Sequence, residues 1–180
     1  DLHSHTHSFP TRRSSDLSMN PDGKGTVILQ NSKIDDGVKS VSSKENILVI
    51  NIFSTKMINA AGFLMSVFEI FSRNNVSVDL ISTSEANISV TVDASQDIDK
   101  VIEELSSFAE VYVDRDKAQV SVIGKNLDNV TGILEKTFAP LRDYKIYMIS
   151  QGASYVNVSF IVDRSVMDTV VSLLHKSLFR

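Results

Sequence analysis

NISVTVD occupies Asn87–Asp93 and NVSFIVD occupies Asn157–Asp163. Each alternates apolar with small polar residues, the period of a half-buried β-strand. Their likeness in letters as well as in pattern predicts two copies of one fold, and the flanking sequence agrees. Gly62-Phe63-Leu64 with Phe68 matches Gly132-Ile133-Leu134 with Phe138, and Ile81-Ser82 matches Ile149-Ser150. A repeat of this length implies a unit too small to bury much core alone, so pairing of the copies, or of chains, is expected.

The remaining elements follow from periodicity. Val38–Ser42 reads as a short strand, and Asn46–Phe53, β-branched and apolar, as a buried one. Leu64, Val67, Phe68 and Phe71, widened by Phe63 and Ile70, stripe a helix that Asn74-Asn75 ends. Val76, Val78 and Leu80 alternate as a strand. Ile98, Val101, Ile102, Leu105 and Phe108 stripe a second helix, and Val111 and Val113 mark a closing strand. The order β-α-β-β-α-β is the ferredoxin-like unit. It restarts with a strand at Gln119–Ile123 and a helix striped by Val130, Ile133, Leu134, Phe138 and Leu141. Strands at Lys145–Ser150 and Tyr155–Val162 follow, then a helix striped by Met167, Val170, Val171, Leu174 and Leu178. This second unit is one strand short. Residues near 37–42 could supply that strand, which would insert the first unit within the second. A short strand at Thr26–Leu29 is also expected, after the turn at Asn20–Gly23.

Composition narrows the chemistry. The 180 residues, 42% apolar with a formal net charge of −4, fit a soluble globular protein without a broad grip on nucleic acid. Cysteine is absent, which excludes disulfides, thiol catalysis and cysteine-ligated zinc. No apolar run is long enough to span a bilayer, and the expected compartment is the cytoplasm. Residues 1–17 share none of the periodicity. They hold His3, His5 and His7, which could bind metal as a histidine-rich tract, and the Arg12-Arg13 pair, which no apolar stretch follows as a secretion signal requires. His7–Leu17, HSFPTRRSSDL, resembles the conceptual translation of a sequencing adapter. The leader is therefore read as disordered assembly contamination, with upstream coding sequence expected to be missing.

Candidate site residues cluster around the first helix. Asp79 and Glu85 admit three readings: a paired-carboxylate acid/base site, two solvated strand-end acids, or a seat for an ammonium group. In the third, free N–H groups at the start of the helix take a carboxylate, so that an α-amino acid meets both charges. Gly62 would let a ligand approach closely there. His175, the one histidine outside the leader, reads as an exposed helix residue rather than a catalytic base. Gly23-Lys24-Gly25-Thr26 lacks the earlier glycine of a phosphate loop. Outward-facing Ser89, Thr91, Asn157 and Ser159 are small and polar where RNA binding on such a sheet wants aromatics.

GFLMSVFEIFSRNNVSVDLISTSE (62–85) and ISQGASYVNVSFIVD (149–163) resemble the tandem ACT domains at the carboxyl end of aspartate kinase, and NPDGKGTVI (20–28) resembles the segment that joins them to the kinase domain. The resemblance implies an α+β fold of two ferredoxin-like ACT units, with no kinase domain in this chain. The chain then divides into the leader (1–17), a linker that includes the strand near 37–42 (18–44), a first ACT domain (45–116) and a second (117–180). It implies the regulatory part of an enzyme that phosphorylates aspartate with ATP, opening the route to lysine, threonine and methionine. The chain alone should be inactive. Met57, Gly62, Phe63, Leu64, Val78, Asp79, Ser84 and Glu85 would bind an end-product amino acid where ACT units of a homo-oligomer pair, and so inhibit the kinase. Ala60 stands where lysine-sensitive relatives often carry serine, which leaves lysine and threonine both open; the two carboxylates favour lysine. Gln151-Gly152-Ala153-Ser154 replaces the acid-bearing turn in the second unit, whose expected role is pairing. No cofactor or metal is implied in this segment, ATP and Mg belonging to the kinase domain, and neither nucleic acid nor a membrane is an expected partner. The alternative is a stand-alone amino-acid-binding regulator or a separate regulatory subunit.

Overall fold

The computed structural model describes residues 36–58, 60–152 and 155–179. The leader, most of the linker with its strand at Thr26–Leu29, and Ala153-Ser154 of the second turn lie outside the described residues. All described strands join one antiparallel six-stranded sheet in the order β2-β3-β1-β4-β6-β5. The strands are β1 Gly37–Phe53, β2 Ile81–Thr83, β3 Asn87–Asp93, β4 Glu110–Lys125, β5 Met148–Gln151 and β6 Asn157–Asp163. The helices are α1 Phe63–Arg73, α2 Asp99–Ser106, α3 Ile133–Phe138 and α4 Met167–Leu178.

Two of these strands serve both repeats. The second half of β1, from Ile47, pairs with β3 and with the first half of β4, and α1 and α2 cover one face; this is the first lobe. The first half of β1 pairs with the second half of β4, Val41 opposite Val122, and that stretch of β4 also pairs with β6. The segment before the first lobe thus completes the second, and the first lobe is an insertion. The strands expected at 38–42 and 46–53 are one strand, as are those expected near 111–113 and 119–123. Polar Lys44-Glu45-Asn46 suggests a break in sequence. Instead the chain crosses between lobes through Asn46 at φ 57 and, on the neighbouring strand, Asp116 at φ 55. Asn and Asp enter the left-handed region at low cost, and the register of β1 on β4 shifts at that point. Gly124 lets β4 lie close to β1, since an added Cβ would run into the Gly37 carbonyl.

Each lobe has its own core between sheet and helices. Leu48, Ile50, Ile52, Val67, Phe71, Val90 and Leu105 fill the first, and Val120, Val122, Phe160, Val170 and Leu174 fill the second. The phase of α1 differs from the sequence reading: Val67, Ile70 and Phe71 are buried, whereas Leu64 is 41% exposed, and its repeat counterpart Leu134 is exposed too. Gly62 at φ 88 and Gly132 at φ 73 begin α1 and α3 in the left-handed region, so their glycines are required by backbone conformation.

The face of the sheet away from the helices is not a free surface. Ile47, Val49, Met148 and Ile161 form a core of their own there, with Leu80 and Tyr147 against it. The outer strands β2 and β5 come into contact, and the Ser150 hydroxyl donates to the Ile81 carbonyl at 3.4 Å. Ser89, Thr91 and Ser159, expected to face outward, are therefore buried. They are paired there: Ser89 donates to Asn51 at 2.7 Å, and Ser121 and Ser159 share a 2.8 Å hydrogen bond.

Candidate effector site

The sequence-derived site residues form two groups, at opposite ends of the first lobe. Met57 closes a 3-10 turn after β1, half-buried on the first core. Gly62 and Leu64 are exposed at the start of α1, and Phe63 packs edge-on to Phe108 with ring centroids 5.7 Å apart. The Leu64 and Met65 N–H groups have no backbone acceptor among the described residues, as at any uncapped helix start. No side chain crowds Gly62, which leaves that start open. Ser84 and Glu85 share this end, in the exposed β2–β3 turn. The turn is closed by Ser84 N–H on the Asn87 carbonyl at 2.8 Å, and tied to the end of β1 by Ser54 N–H on the Ala86 carbonyl at 3.1 Å.

Val78 and Asp79 lie at the other end, where α1 returns to β2. Val78 rests on the first core. Asp79 and Leu80 together face the single residue Thr91. Asp79 N–H donates to the Thr91 carbonyl at 2.9 Å, Leu80 N–H to the Thr91 hydroxyl at 2.9 Å, and Thr91 N–H to the Leu80 carbonyl at 3.0 Å. This bulge shortens the strand read at Val76–Leu80, and regular pairing begins only at Ile81. The length of β3 separates the ends, roughly 20 Å at 3.3 Å per residue. Asp79 and Glu85 therefore do not form one acidic corner within a chain, and that distance is too long for them to act as a paired-carboxylate acid/base site within one chain.

Asp79 is engaged. Lys44 Nζ lies 2.6 Å from its Oδ2 and 3.3 Å from Asp93 Oδ2. The hydrogen bond to Asp79 leads the causes that hold the Lys44 ammonium above its ordinary value. Asp93 accepts the Ser95 hydroxyl at 2.7 Å and the Ser95 N–H at 3.0 Å. Those bonds, with Lys44 behind them, bring its carboxyl down to about 2. Sequence reasoning missed both Lys44 and Asp93; the repetition of Asp93 in Asp163 was the available signal. In the second lobe Tyr147 stands where the first has Asp79. Its hydroxyl donates to Asp163 at 3.0 Å, and Lys117 Nζ lies 2.9 Å from Asp163 and 4.2 Å over the Tyr147 ring. Burial pulls the Lys117 ammonium down, but Asp163 carries the net shift upward. Asp163 is lowered, first by its hydrogen bond from Lys117.

A pH dependence follows. A carboxyl depressed in the folded state contributes stability that is complete above its unfolded value and is lost as pH falls through its folded value. For Asp93 that window runs from 3.8 down to about 2. The thermal midpoint should fall across this range, and Asp93→Asn should flatten part of the fall.

An ACT-domain family model matches residues 50–107 and 120–178, one match in each lobe. Aspartokinase 1, chloroplastic, of Arabidopsis thaliana is 39% identical over 174 residues, which is 90% of this chain and 30% of that protein. The structure of Escherichia coli aspartokinase III in complex with lysine and aspartate superposes with a TM-score of 0.73 at 33% identity, covering 83% of this chain and 35% of that one. A domain assigned as the C-terminal regulatory domain of aspartate kinase from Porphyromonas gingivalis superposes with a TM-score of 0.70 at 28% identity, over 78% of this chain and 97% of that one. The chain thus spans about a third of the length of the curated relatives it matches. With both lobes matched, the chain belongs to the ACT-domain family, as a tandem pair similar to the regulatory region of aspartokinases.

Proposed function

We propose that this chain is the regulatory part of an aspartate kinase, the enzyme that converts ATP and L-aspartate to 4-phospho-L-aspartate, and that it binds an end-product amino acid, lysine in preference to threonine, to inhibit that enzyme. ATP and Mg would be held by the kinase domain, and the proposed compartment is the cytoplasm; the Arabidopsis relative is a chloroplastic protein. One observation carries the choice of lysine: Asp79 already holds a lysyl ammonium, that of Lys44, at 2.6 Å. The similarity to an aspartokinase solved with lysine supports the same choice.

The separation of the two groups calls for a second copy. If two first lobes pair about a two-fold axis through the exposed α1 and β2 side chains, beside the β2 backbone that Ser150 of β5 already meets at Ile81, Val78 and Asp79 of one protomer approach the helix start and β2–β3 turn of the other. The effector's carboxylate would then meet the N–H groups after Gly62, and its cationic end the carboxylates, with Met57, Phe63 and Leu64 around its stem. The α1 helix crosses β3 on its way from β1 to β2, so its exposed Leu64 and Met65 stand on the same flank as exposed Ile81. Pairing would cover all three. Binding across such an interface favours one arrangement of the protomers, and the usual coupling of about 1–3 kcal/mol is enough for strong feedback.

Asp79→Ala should weaken lysine binding by about 1.5–3 kcal/mol, the scale of a charged hydrogen bond, with the fold intact. Isothermal titration with lysine and threonine decides this. Unchanged affinity for both in the variant would remove Asp79 from the site.

A further inference from the structure

The two lobes each seat a lysine ammonium at equivalent places, one exposed and one buried. Asp79 and Tyr147 are repeat counterparts, as are Asp93 and Asp163. In the second lobe the Lys117 side chain is only 9% exposed, and its ammonium is enclosed by Asp163 and the Tyr147 ring. Removing a partner from so buried a cation leaves its charge uncompensated, which makes that seat permanent. In the first lobe the Lys44 and Asp79 side chains are 44% and 34% exposed. An ion pair this open to water contributes little and exchanges readily. Lys44 also keeps a second anion, Asp93, if Asp79 is taken from it.

We propose that Lys44 is a specificity-determining residue of the effector seat: it is the resident cation of Asp79, and the side-chain ammonium of an effector replaces it one for one, whereas an amino acid with no side-chain cation, its α-ammonium kept beside its own carboxylate at the helix start, leaves it in place. This rests on the reading of Asp79 as an effector contact. Lys44 lowers affinity for a cationic amino acid by occupying its partner. It leaves affinity for a neutral one untouched, because Asp79 stays neutralised while that ligand binds. The exchange also has a place to be felt. Lys44 lies two residues before the crossing at Asn46, and its neighbour Glu45 is held 2.9 Å from Arg164 of the second lobe. The cation that a lysine effector releases is therefore freed at the joint between the lobes.

The test titrates L-lysine, L-norleucine and L-threonine calorimetrically into the full chain, as wild type, Lys44→Met and Lys39→Met. Met keeps most of the Lys44 stem, and Lys39, exposed on the same strand, controls for the loss of one positive charge. Lys44→Met should bind lysine roughly three- to fivefold more tightly, the upper part of the range set by loss of an exposed ion pair. Norleucine and threonine should stay within about twofold, as should every ligand on Lys39→Met, by the same scale. Equal lysine affinity in wild type and Lys44→Met overturns the exchange and leaves the effector reading standing. Equal tightening in Lys39→Met also overturns it, by assigning the effect to net charge. Lysine bound by none of the three chains removes the effector reading and the exchange together.

Discussion

A chain that starts at Lys44 is expected to keep its first lobe folded and to lose the second. Residues 37–43 are the outer strand of the second lobe, in register with 120–125 of β4. They bring Val38 and Val41 against its cores, while no residue of the first core comes from them. Deletion removes a ladder of hydrogen bonds and two half-buried valines. The loss is on the order of 5–10 kcal/mol when ladder bonds count at about 1 kcal/mol and apolar burial at about 25 cal/mol per Å². That equals the whole stability of many domains, about 5–15 kcal/mol. Native-state hydrogen exchange is the measurement: amides of β6 and α4 should lose protection while those of β3 and α1 keep it. A synthetic 36–44 peptide added in trans should restore part of it. Persistent protection of β6 and α4 in the truncated chain would show that the segment only decorates the second lobe.

That dependence explains which parts of the fold could be read from sequence. Local pattern and repetition located the four described α-helices and the strands NISVTVD and NVSFIVD, because each has an apolar period set by its own backbone. The missing fourth strand was legible as a count, since a unit of this type needs four. Its continuity with the next strand was not. Lys44-Glu45-Asn46 is polar because it lies between two cores, and a joint between lobes has the same composition as a loop. Burial of Ser89, Thr91 and Ser159 was invisible for a different reason: it arises from the approach of β2 to β5, which no single strand encodes.

The effector site was legible in its residues and illegible in its geometry. Asp79 and Glu85 are six positions apart in sequence, which suggests a shared corner, yet β2 and its turn carry them to opposite ends of the lobe. The helix phase misled in a smaller way. Leu64 and Phe63 are adjacent, and only the packing of Phe63 on Phe108 decides which of them faces inward. Exposure of Leu64 suits a residue that waits for a ligand or partner. Lys44 carries no sequence signal, since one lysine on a strand resembles any other until its 35-residue reach to Asp79 is known.

The largest single-residue effect is expected from Phe160→Ala. Phe160 is fully buried at the centre of the second core, between Val120 on β4 and Ile149 on β5, with its ring edge-on to Phe138 at 5.4 Å. The first lobe has the smaller Val90 at the corresponding place in the repeat, so the second core depends more on one side chain. Truncation removes the ring and leaves a cavity bounded by strands that the sheet holds in register, which limits collapse. The cost should be about 3–5 kcal/mol, the range for buried Phe→Ala. For a chain of this size that lowers the thermal midpoint by roughly 6–20 °C. Phe160→Leu should recover most of the loss, and Arg142→Ala, at a side chain 84% exposed, should move the midpoint little. Because the lobes share β1 and β4, the fall should also appear in the first lobe once the second has melted. Calorimetry would show this as a second transition displaced below its wild-type position; a first lobe that melts at its wild-type temperature would mean that the shared strands do not couple the two cores.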